Sequence, residues 1–258
     1  MIAPADLRID GDGPENVVLL HGWPDTLALW DKQVEALQGR YRCVRFTLPG
    51  FSGAPLQRVP SLDELMQMLA QAIEATCGDA PVTLVLHDWG CVFGYEYAMR
   101  HPTRVRRIVA ADIGDAGSRA HVASLSLPAK LGMLGYQRWL ALAWRTGGRL
   151  GDLMTRRLVG AMHVPEPQRV HAGLNWPYQL QAEGGLKRMH PVNPRCPLLF
   201  LYGRRKPFMF HSPTWADAVA QRPGCAVHGL DAGHWLMLSR ADEFNEQMLR
   251  WLAAAPPG

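Results

Sequence analysis

The stretch LHDWGC, residues 86–91, places a carboxylate between an apolar run and a segment that favours a helix. The apolar run, residues 81–86, has the composition of a buried strand, and residues 91–100 have that of a helix. In a strand-turn-helix of the form x-nucleophile-x-Gly, the tight turn strains the central residue and projects its side chain above the sheet. Asp88 is therefore a candidate covalent nucleophile, kept ionised by the helix end, although Asp is also a common N-cap.

Strand-like and helix-like segments alternate on either side of this stretch. The runs rich in β-branched and aliphatic residues, which predict strands, are residues 16–20, 41–48, 82–86, 106–112, 197–203 and 225–230. Between them, residues 29–37, 61–75 and 91–100 predict helices, and Ser61 and Glu64 have the spacing of a capping box. Such alternation predicts an α/β fold with a mostly parallel sheet and helices on both faces.

The alternation stops between residues 116 and 193, where no run predicts a strand. This block is rich in Trp, Leu and Met and predicts several helices separated by Gly and Pro. We therefore predict a core domain built from residues 1–115 and 194–258 and an inserted helical cap, residues 116–193. Residues 116–192 contain ten Lys or Arg and three acids, so the cap carries about +7 and the remainder about −3. Such charge usually lies on a solvated helix face, but it can also steer an anionic substrate or contact an acidic partner.

Composition excludes several functional classes. At 258 residues and 48% hydrophobic content, the chain can bury a substantial core, and a net charge of +4 without basic runs argues against nucleic acid. The N-terminal segment lacks the pattern of a secretory signal, and no apolar run is long enough to span a bilayer. We expect a cytoplasmic protein with a small-molecule substrate and no membrane partner; the sequence does not predict its oligomeric state. Five scattered cysteines without CxxC pairs predict free thiols and no metal site. We expect no cofactor.

Two further motifs supply the groups that a nucleophile on such a turn needs. HGWPD, residues 21–25, follows the first strong strand, where the backbone N–H of Trp23 can join that of Trp89 in an oxyanion hole. DAGHW, residues 231–235, places His234 just after the last predicted strand. An imidazole at that position can serve as a general base.

These motifs occur in the order typical of one superfamily. The chain resembles the α/β-hydrolase superfamily over essentially its whole length, through the motifs HGWP, LPGFSGA (residues 48–54), LHDWG, RHPTRV (residues 100–105) and AGHW. Because Asp occupies the nucleophile position, it resembles the branch that contains epoxide hydrolases and haloalkane dehalogenases. The resemblance implies the α/β-hydrolase fold with a helical cap, and an alkyl ester on Asp88 that is hydrolysed by water activated by His234. We interpret His21 as shaping the oxyanion loop and His87 as pointing away from the site.

The acid that orients the histidine is in an unusual place. Many relatives carry it in a Gly-x-x-Asp arrangement after the strand represented here by residues 197–203, but this chain has Gly-Arg-Arg-Lys. Some members of the branch take the acid from the end of the preceding strand, and Asp112 occupies the matching position. Asp115 stays open as an alternative, because strand ends are uncertain by a few residues. Asp231 is too close to His234 along the chain and is assigned to the turn.

The predicted cap contains a candidate proton donor. AGLNWPYQ, residues 172–179, resembles the Asn-Trp-Tyr segment that carries a ring-opening tyrosine in epoxide hydrolases, with Pro177 interposed. Tyr178 is therefore the candidate acid, and the alternative is an aromatic side chain that packs the cap against the core. The candidates for a second donor are Tyr136, His163 and His171.

The resemblance implies an epoxide hydrolase that acts on a largely apolar small molecule. The residues predicted to line its substrate pocket are Trp23, Trp89, Tyr136, Trp176 and Trp235. The main alternative is a haloalkane dehalogenase or another hydrolase of C–halide or ester bonds. Trp89 does not discriminate, since both groups carry Trp there, whereas dehalogenases commonly have Asn at the position of Trp23. A non-catalytic binding protein of the same fold is the remaining alternative.

Overall fold

The computed structural model describes residues 2–53, 56–162 and 164–254 of the protein, with a seven-stranded sheet at its centre. The strands are β1 (Asp6–Asp10), β2 (Glu15–Leu20), β3 (Tyr41–Thr47), β4 (Val82–His87), β5 (Val105–Ala111), β6 (Leu198–Gly203) and β7 (Ala226–Leu230). Across the sheet their order is β1-β3-β2-β4-β5-β6-β7. β1 pairs antiparallel with β3, and every other neighbouring pair is parallel.

This sheet confirms the predicted α/β fold. All six predicted strands are present, and each end lies within one residue of its predicted position. β1 is the strand that the sequence pattern does not predict, because DLRID is a short, exposed edge segment with an Asp at each end. Asp is disfavoured in strands, and the pairing with β3 that supports β1 joins distant parts of the chain.

Helices cover both faces of the sheet. The α-helices of the described residues are α1 (Asp31–Leu37), α2 (Leu62–Cys77), α3 (Trp89–Arg100), α4 (Arg119–Ser124), α5 (Leu127–Thr146), α6 (Gly148–Met162), α7 (Trp176–Ala182), α8 (Pro213–Ala220), α9 (Leu236–Ser239) and α10 (Ala241–Ala254). Alternate residues of a strand point to opposite faces. Accordingly, Val17 and Leu19 of β2 pack in one core cluster with α1 and α10, while Val18 and Leu20 pack in another with α2 and α3.

The predicted helix starts are partly confirmed. Ser61 Oγ accepts from the N–H of Glu64 (3.2 Å), and the Glu64 carboxylate accepts from the N–H of Ser61 (2.9 Å), which completes the predicted capping box. The helix predicted over residues 29–37 is instead a 3-10 helix, Leu27–Trp30, followed by α1.

The segment between β5 and β6 is helical. Between residues 116 and 193, no residue that the structure describes lies in a strand; the segment consists of α4 to α7 and two 3-10 helices. Trp176 attaches it to the core, since its indole N–H donates to the carbonyl of Pro49 (2.9 Å) and its ring stacks on Phe93. The domain boundaries at 115/116 and 193/194 stay a prediction. Within the described part of the chain, no helix combines the length and apolar character needed to cross a membrane.

Candidate active site

Asp88 stands on a strained turn between β4 and α3. Its backbone has φ 51° and ψ −124°, a conformation that costs roughly 1–3 kcal/mol for a residue other than glycine. The side chain forms no capping hydrogen bond with α3, so the N-cap alternative does not describe it. Gly22 and Gly90 permit the close packing around this turn, because a side chain at Gly22 would collide with Asp88 and one at Gly90 with the backbone of Leu20.

Two backbone N–H groups face the Asp88 carboxyl group. The N–H of Trp23 donates to Asp88 Oδ1 (2.7 Å), and the N–H of Trp89 also bonds to this carboxylate. Burial opposes ionisation of Asp88, but the hydrogen bond and the charge of His234 and the N–H of Trp89 lower its pKa below the usual value. The arrangement gives an ionised carboxylate whose Oδ1 accepts from the N–H of Trp23.

His21 fixes the loop that carries Trp23. Its Nδ1–H donates to the carbonyl of Gly22 (2.8 Å), and its Nε2 accepts from the N–H of Leu48 (2.9 Å). Burial lowers the pKa of His21 to about 4, so the ring is neutral, as both hydrogen bonds require. His21 therefore joins the oxyanion loop to the turn after β3.

The structure brings His234 and Asp112 to the same point above the sheet. His234 follows β7, and Asp112 follows β5 with φ 74°. The Nδ1–H of His234 donates to Asp112 Oδ2 (2.5 Å), while Nε2 lies 3.4 Å from Asp88 Oδ2. Burial opposes protonation of His234, but its hydrogen bonds to Asp112 and Asp88 outweigh burial and raise its pKa to about 9. A proton taken by Nε2 is thus stabilised by two carboxylates.

Lys206 occupies the place where the resemblance implies an acid, and it binds Asp112. Its ammonium group forms an ion pair with Asp112 Oδ1, which also accepts from the N–H of Gly203 (3.0 Å). Both partners are buried, with 5% of the Lys206 side chain exposed. Although burial opposes it, the charge of Lys206 and then the bond to His234 lower the pKa of Asp112 well below its usual value. The sequence analysis noted Lys206 three residues after Gly203 but did not predict its ion pair with Asp112.

The alternative acid, Asp115, is engaged elsewhere. Its carboxylate accepts from the N–H of Ser212 (2.6 Å) and from the hydroxyls of Ser212 (2.8 Å) and Ser118 (2.6 Å). These bonds hold the loop after β5 against the segment before α8. Asp231, assigned to the turn by sequence, forms ion pairs with Arg205 and Arg240.

A second histidine–carboxylate pair, His87 and Asp25, is buried next to His234. His87 Nε2–H donates to the carbonyl of His234 (3.2 Å), and its Nδ1 lies 3.9 Å from Asp25 Oδ2. Burial lowers the pKa of His87 to about 3 and raises that of Asp25 to about 7. Asp25 also accepts from the indole N–H of Trp235 (3.0 Å). His87 therefore holds the loop that carries His234 through this backbone hydrogen bond. Asp25 contacts both His87 and Trp235, and the sequence pattern did not predict its role.

Two cavities of about 780 Å³ each reach Asp88. Asp88, Tyr136 and Tyr178 lie in the walls of both. One cavity extends along residues 113–120, and the other extends under α6 along residues 205–208. The nucleophile candidate is therefore open to a molecule in either cavity.

The two tyrosines are held protonated. The Tyr178 ring meets Trp23, Trp89 and Tyr136 edge-on, at centroid distances of 5.5, 5.3 and 6.0 Å. Burial, followed by the charge of Asp88, raises the pKa of Tyr178 and of Tyr136 above the usual value. Both phenols can donate a proton or hydrogen bond inside a cavity wall.

The structure contradicts one predicted lining residue. Trp23, Trp89, Tyr136 and Trp235 line the cavities, but Trp176 is fully buried between the inserted helices and the core. Residues two apart on a helix point about 200° away from each other. Because Tyr178 faces the cavity, Trp176 faces the core, where Pro49 and Phe93 contact it.

The remaining candidates for a second proton donor are His171 and His163. His171 accepts from the N–H of Gly173 (3.2 Å) and caps a 3-10 helix, outside the walls of both cavities. His163 lies outside the described residues.

Asn175 was not singled out by sequence, yet its Oδ1 accepts from the indole N–H of Trp23 (2.9 Å) and its amide donates to Thr155 (2.8 Å).

Curated relatives match part of the chain. A protein of Xanthomonas campestris pv. campestris named cis-3-alkyl-4-alkyloxetan-2-one decarboxylase is 33% identical over 120 residues, covering 38% of this chain and 37% of the relative. Epoxide hydrolase B of Mycobacterium tuberculosis is 31% identical over 118 residues, covering 45% and 33%. The matched segments thus span about a third of each relative's length.

Solved structures share the fold over nearly the whole chain. An epoxide hydrolase of Bacillus megaterium bound to an inhibitor is similar with a TM-score of 0.71 at 23% identity, covering 96% of both chains. The haloalkane dehalogenase variant DbeA-M1 of Bradyrhizobium elkanii gives 0.70 at 18% identity, covering 96% and 92%. The family model described as alpha/beta hydrolase family matches residues 17–247. The chain therefore belongs to the alpha/beta hydrolase family.

Proposed function

We propose that the protein is an epoxide hydrolase that acts on a largely apolar small molecule through a covalent ester on Asp88. The observation that carries the proposal is the pair of protonated tyrosines, Tyr136 and Tyr178, in the walls of both cavities that reach Asp88. An epoxide oxygen needs a proton when its C–O bond breaks, and a positioned phenol supplies one. The similarity to a relative named epoxide hydrolase B supports the same chemistry.

Ester formation uses the carboxylate and a tyrosine. Asp88 Oδ2, the oxygen that does not accept from the N–H of Trp23, attacks an epoxide carbon, and the C–O bond of the ring breaks. The ring oxygen takes the bond's electron pair and a proton from Tyr178, with Tyr136 as the second donor. The product of this step is a hydroxyalkyl ester of Asp88.

Ester hydrolysis uses the histidine and the backbone donors. His234 Nε2 removes a proton from water, and the oxygen of that water attacks the Asp88 carbonyl carbon. Negative charge develops on Oδ1, which already accepts from the N–H of Trp23, and we assign the N–H of Trp89 as the second donor. The ester C–O bond then breaks, the departing alkoxide takes the remaining proton of the attacking water from the Asp88 carboxyl group, and the diol leaves the restored carboxylate.

The charge of His234 changes between the two steps. In the free protein its pKa of about 9 keeps His234 protonated at neutral pH, beside an ionised Asp88. Esterification removes the negative charge of Asp88, which is one of the two groups that raise this pKa. The pKa of His234 therefore falls in the ester, so His234 releases its proton, a proton restores the Tyr178 phenol, and a neutral general base is available for hydrolysis.

The dehalogenase alternative has weaker support. A departing halide needs N–H donors such as indoles rather than a proton. The indole N–H of Trp23, one of the two indoles beside Asp88, already donates to Asn175 on the inserted segment. The strained lactone ring in the name of the Xanthomonas relative is a further electrophile that a substrate panel should include.

Turnover in heavy-oxygen water tests the covalent route. After repeated turnover of an epoxide, we expect the heavy isotope in the Asp88 carboxylate, measured by the mass of the peptide that contains it, because water oxygen enters the carboxyl group. The peptide containing Asp112 should stay unlabelled and serves as the internal control. An unlabelled Asp88 peptide after confirmed turnover would exclude the ester, and no turnover of epoxides, organohalides, esters or lactones would favour a binding protein.

Tyr178→Phe should slow ester formation by about two to four orders of magnitude, the usual contribution of a positioned acid. The substitution removes the phenolic proton and keeps the ring that packs on Trp23 and Trp89. Hydrolysis of ester formed beforehand should change little, because that step needs no phenol. Single-turnover rates of the two steps, measured separately, check this expectation.

Tyr136→Phe and Trp89→Phe are the variants to compare with Tyr178→Phe. For an epoxide, Tyr136→Phe should slow ester formation and Trp89→Phe should be tolerated. The reverse pattern, with Tyr178→Phe at the normal rate and Trp89→Phe impaired, would assign the site to halide displacement.

Lys206→Met should move the acidic limb of the pH profile for ester hydrolysis to higher pH. Without the ammonium group, Asp112 interacts more strongly with protonated His234, so less neutral His234 is present near pH 7. We expect hydrolysis to be several-fold slower at neutral pH and to recover in alkaline buffer. Lys206→Arg keeps the charge and should keep the limb in place. Coincident pH profiles for the Met and Arg variants would show that Lys206 contributes packing alone.

A further inference from the structure

Exposed large hydrophobic side chains are concentrated on the inserted helices. Among the residues that the structure describes, Leu7 and Ile9 of β1 are exposed, and all other such side chains lie on α4, α5 and α6. Six of these are leucines: Leu127, Leu131, Leu134, Leu142, Leu150 and Leu153. Leu127 and Leu131 expose 68% and 60% of their surface. Single exposed leucines are ordinary, but a concentration on neighbouring helices indicates an interaction surface.

Leucines and arginines share the exposed side of α5 and α6. Leu127, Leu131, Leu134, Arg138, Leu142 and Arg145 follow one another at three or four residues, so they form one stripe along α5. On α6, Leu150 and Leu153 are exposed together with Arg149, Arg156 and Arg157. The indole N–H of Trp139 on α5 donates to the carbonyl of Met154 on α6 (2.9 Å), which holds the helices side by side. These residues define the α5–α6 face.

The positive charge of the α5–α6 face is not compensated. Of its five arginines, none forms an ion pair with another residue in the described ranges 2–53, 56–162 and 164–254. Residues 119–162 contain one acid, Asp152, and its carboxylate accepts from the N–H of Ala172 (2.8 Å). The face therefore offers five guanidinium groups to an anionic partner.

We propose that the α5–α6 face docks on the surface of an anionic phospholipid bilayer. Leucine side chains enter the headgroup region, while arginines bind phosphate through their heads and cover apolar surface with their stems. A second copy of the chain would place two uncompensated sets of arginines against each other, and a nucleic acid would leave the leucines in water. The sequence analysis expected no membrane partner because no segment is long enough to span a bilayer. The present inference concerns binding at the bilayer surface, which needs no such segment.

The same helices contact the cavities from their inner side. Met133 and Tyr136 of α5 line one cavity, and Leu158 and Met162 of α6 line the other. A bilayer that holds the α5–α6 face also concentrates apolar molecules, so docking brings the cavities close to a reservoir of such substrates. The docking itself is independent of the chemistry proposed for Asp88.

Co-sedimentation of the full chain with lipid vesicles tests this inference. We expect binding to phosphatidylcholine vesicles that contain phosphatidylglycerol, weak binding to phosphatidylcholine alone, and loss of binding at high salt. Arg156→Gln with Arg157→Gln should weaken binding about 25-fold, because each arginine near the surface contributes about five-fold. Leu131→Ser with Leu134→Ser should weaken it several-fold. The control is Leu7→Ser with Ile9→Ser on β1, an exposed pair that should leave binding unchanged.

Three outcomes would overturn the inference. The first is no binding to phosphatidylglycerol vesicles at low salt. The second is a loss of binding in the β1 control that equals the loss in the leucine pair on α5, or no loss in either. The third is a dimer in analytical ultracentrifugation that Leu131→Ser with Leu134→Ser dissociates, which would assign the face to a second copy of the chain. Turnover assays do not enter this test, so its failure leaves the proposed ester chemistry to be judged separately.

Discussion

Asp88→Ala should abolish turnover of every epoxide, with kcat reduced by about five orders of magnitude or more, as for loss of other covalent nucleophiles. Alanine cannot form the ester, and the N–H groups of Trp23 and Trp89 lose the carbonyl that they would polarise. The fold should survive, because Ala at the elbow keeps the same backbone and Asp88 contributes no capping bond to α3. Steady-state kinetics together with thermal unfolding check both parts of this expectation.

The control for Asp88→Ala is Asp231→Ala. Asp231 lies three residues before His234, but it is half-exposed and paired with Arg205 and Arg240, so its loss should leave turnover close to normal. Residual epoxide turnover by folded Asp88→Ala above the uncatalysed rate would contradict a covalent mechanism.

His234→Gln should separate the two halves of the reaction. Ester formation needs Asp88 and a tyrosine, whereas hydrolysis needs a base that accepts a proton from water. We expect ester formation to proceed and hydrolysis to slow by about two to four orders of magnitude, so that ester accumulates. Rapid-quench single-turnover kinetics measure the two rates directly.

Asp112→Asn and Asp115→Asn give the comparison that assigns the acid. Asp112→Asn removes the carboxylate that accepts from His234 Nδ1–H and should also slow hydrolysis more than ester formation. Asp115→Asn alters bonds to Ser118 and Ser212 and should leave the ratio of the two rates unchanged. Selective loss of hydrolysis in Asp115→Asn instead would move the acid to that residue.

Patterns local to the chain predicted most of the sheet. Five of the six predicted strands, β2 to β6, are mostly buried, and a buried strand must be apolar whatever its neighbours are. β1 escaped prediction because its exposed residues carry no such constraint and its stability comes from pairing with β3. Local sequence describes burial well, but it does not describe pairing across the chain.

In the candidate site too, local sequence predicted some features, while others depend on how distant parts of the chain pack. The elbow at Asp88 was predictable because one tight turn contains its geometry. Sequence analysis assigned Trp176 to the pocket lining and Tyr178 to proton donation, yet the rotation of α7 sends the two side chains to opposite sides. Which side faces the cavity depends on how the inserted helices pack, and no pattern within residues 172–179 specifies that.

The pairing of Lys206 with Asp112 illustrates a different limit. Three basic residues after β6 indicated that the acid had moved, and Asp112 was selected for that reason. The contact of Lys206 with Asp112 depends on the parallel pairing of β5 with β6, which brings the loops after both strands together. Sequence reasoning selected Asp112 and treated the lysine only as a residue in the place of an acid, because the ion pair appears only when both loops are placed.

The mass of the Asp88 peptide from His234→Gln, taken after mixing with a small epoxide, tests the central claim most directly. An epoxide opens without losing any atoms, so the account predicts a gain equal to the entire mass of the epoxide on the peptide that contains Asp88. Fragmentation should place the added mass on the Asp88 side chain. An unmodified Asp88 peptide in protein that has consumed epoxide, or the added mass on another residue, would contradict the covalent ester on Asp88.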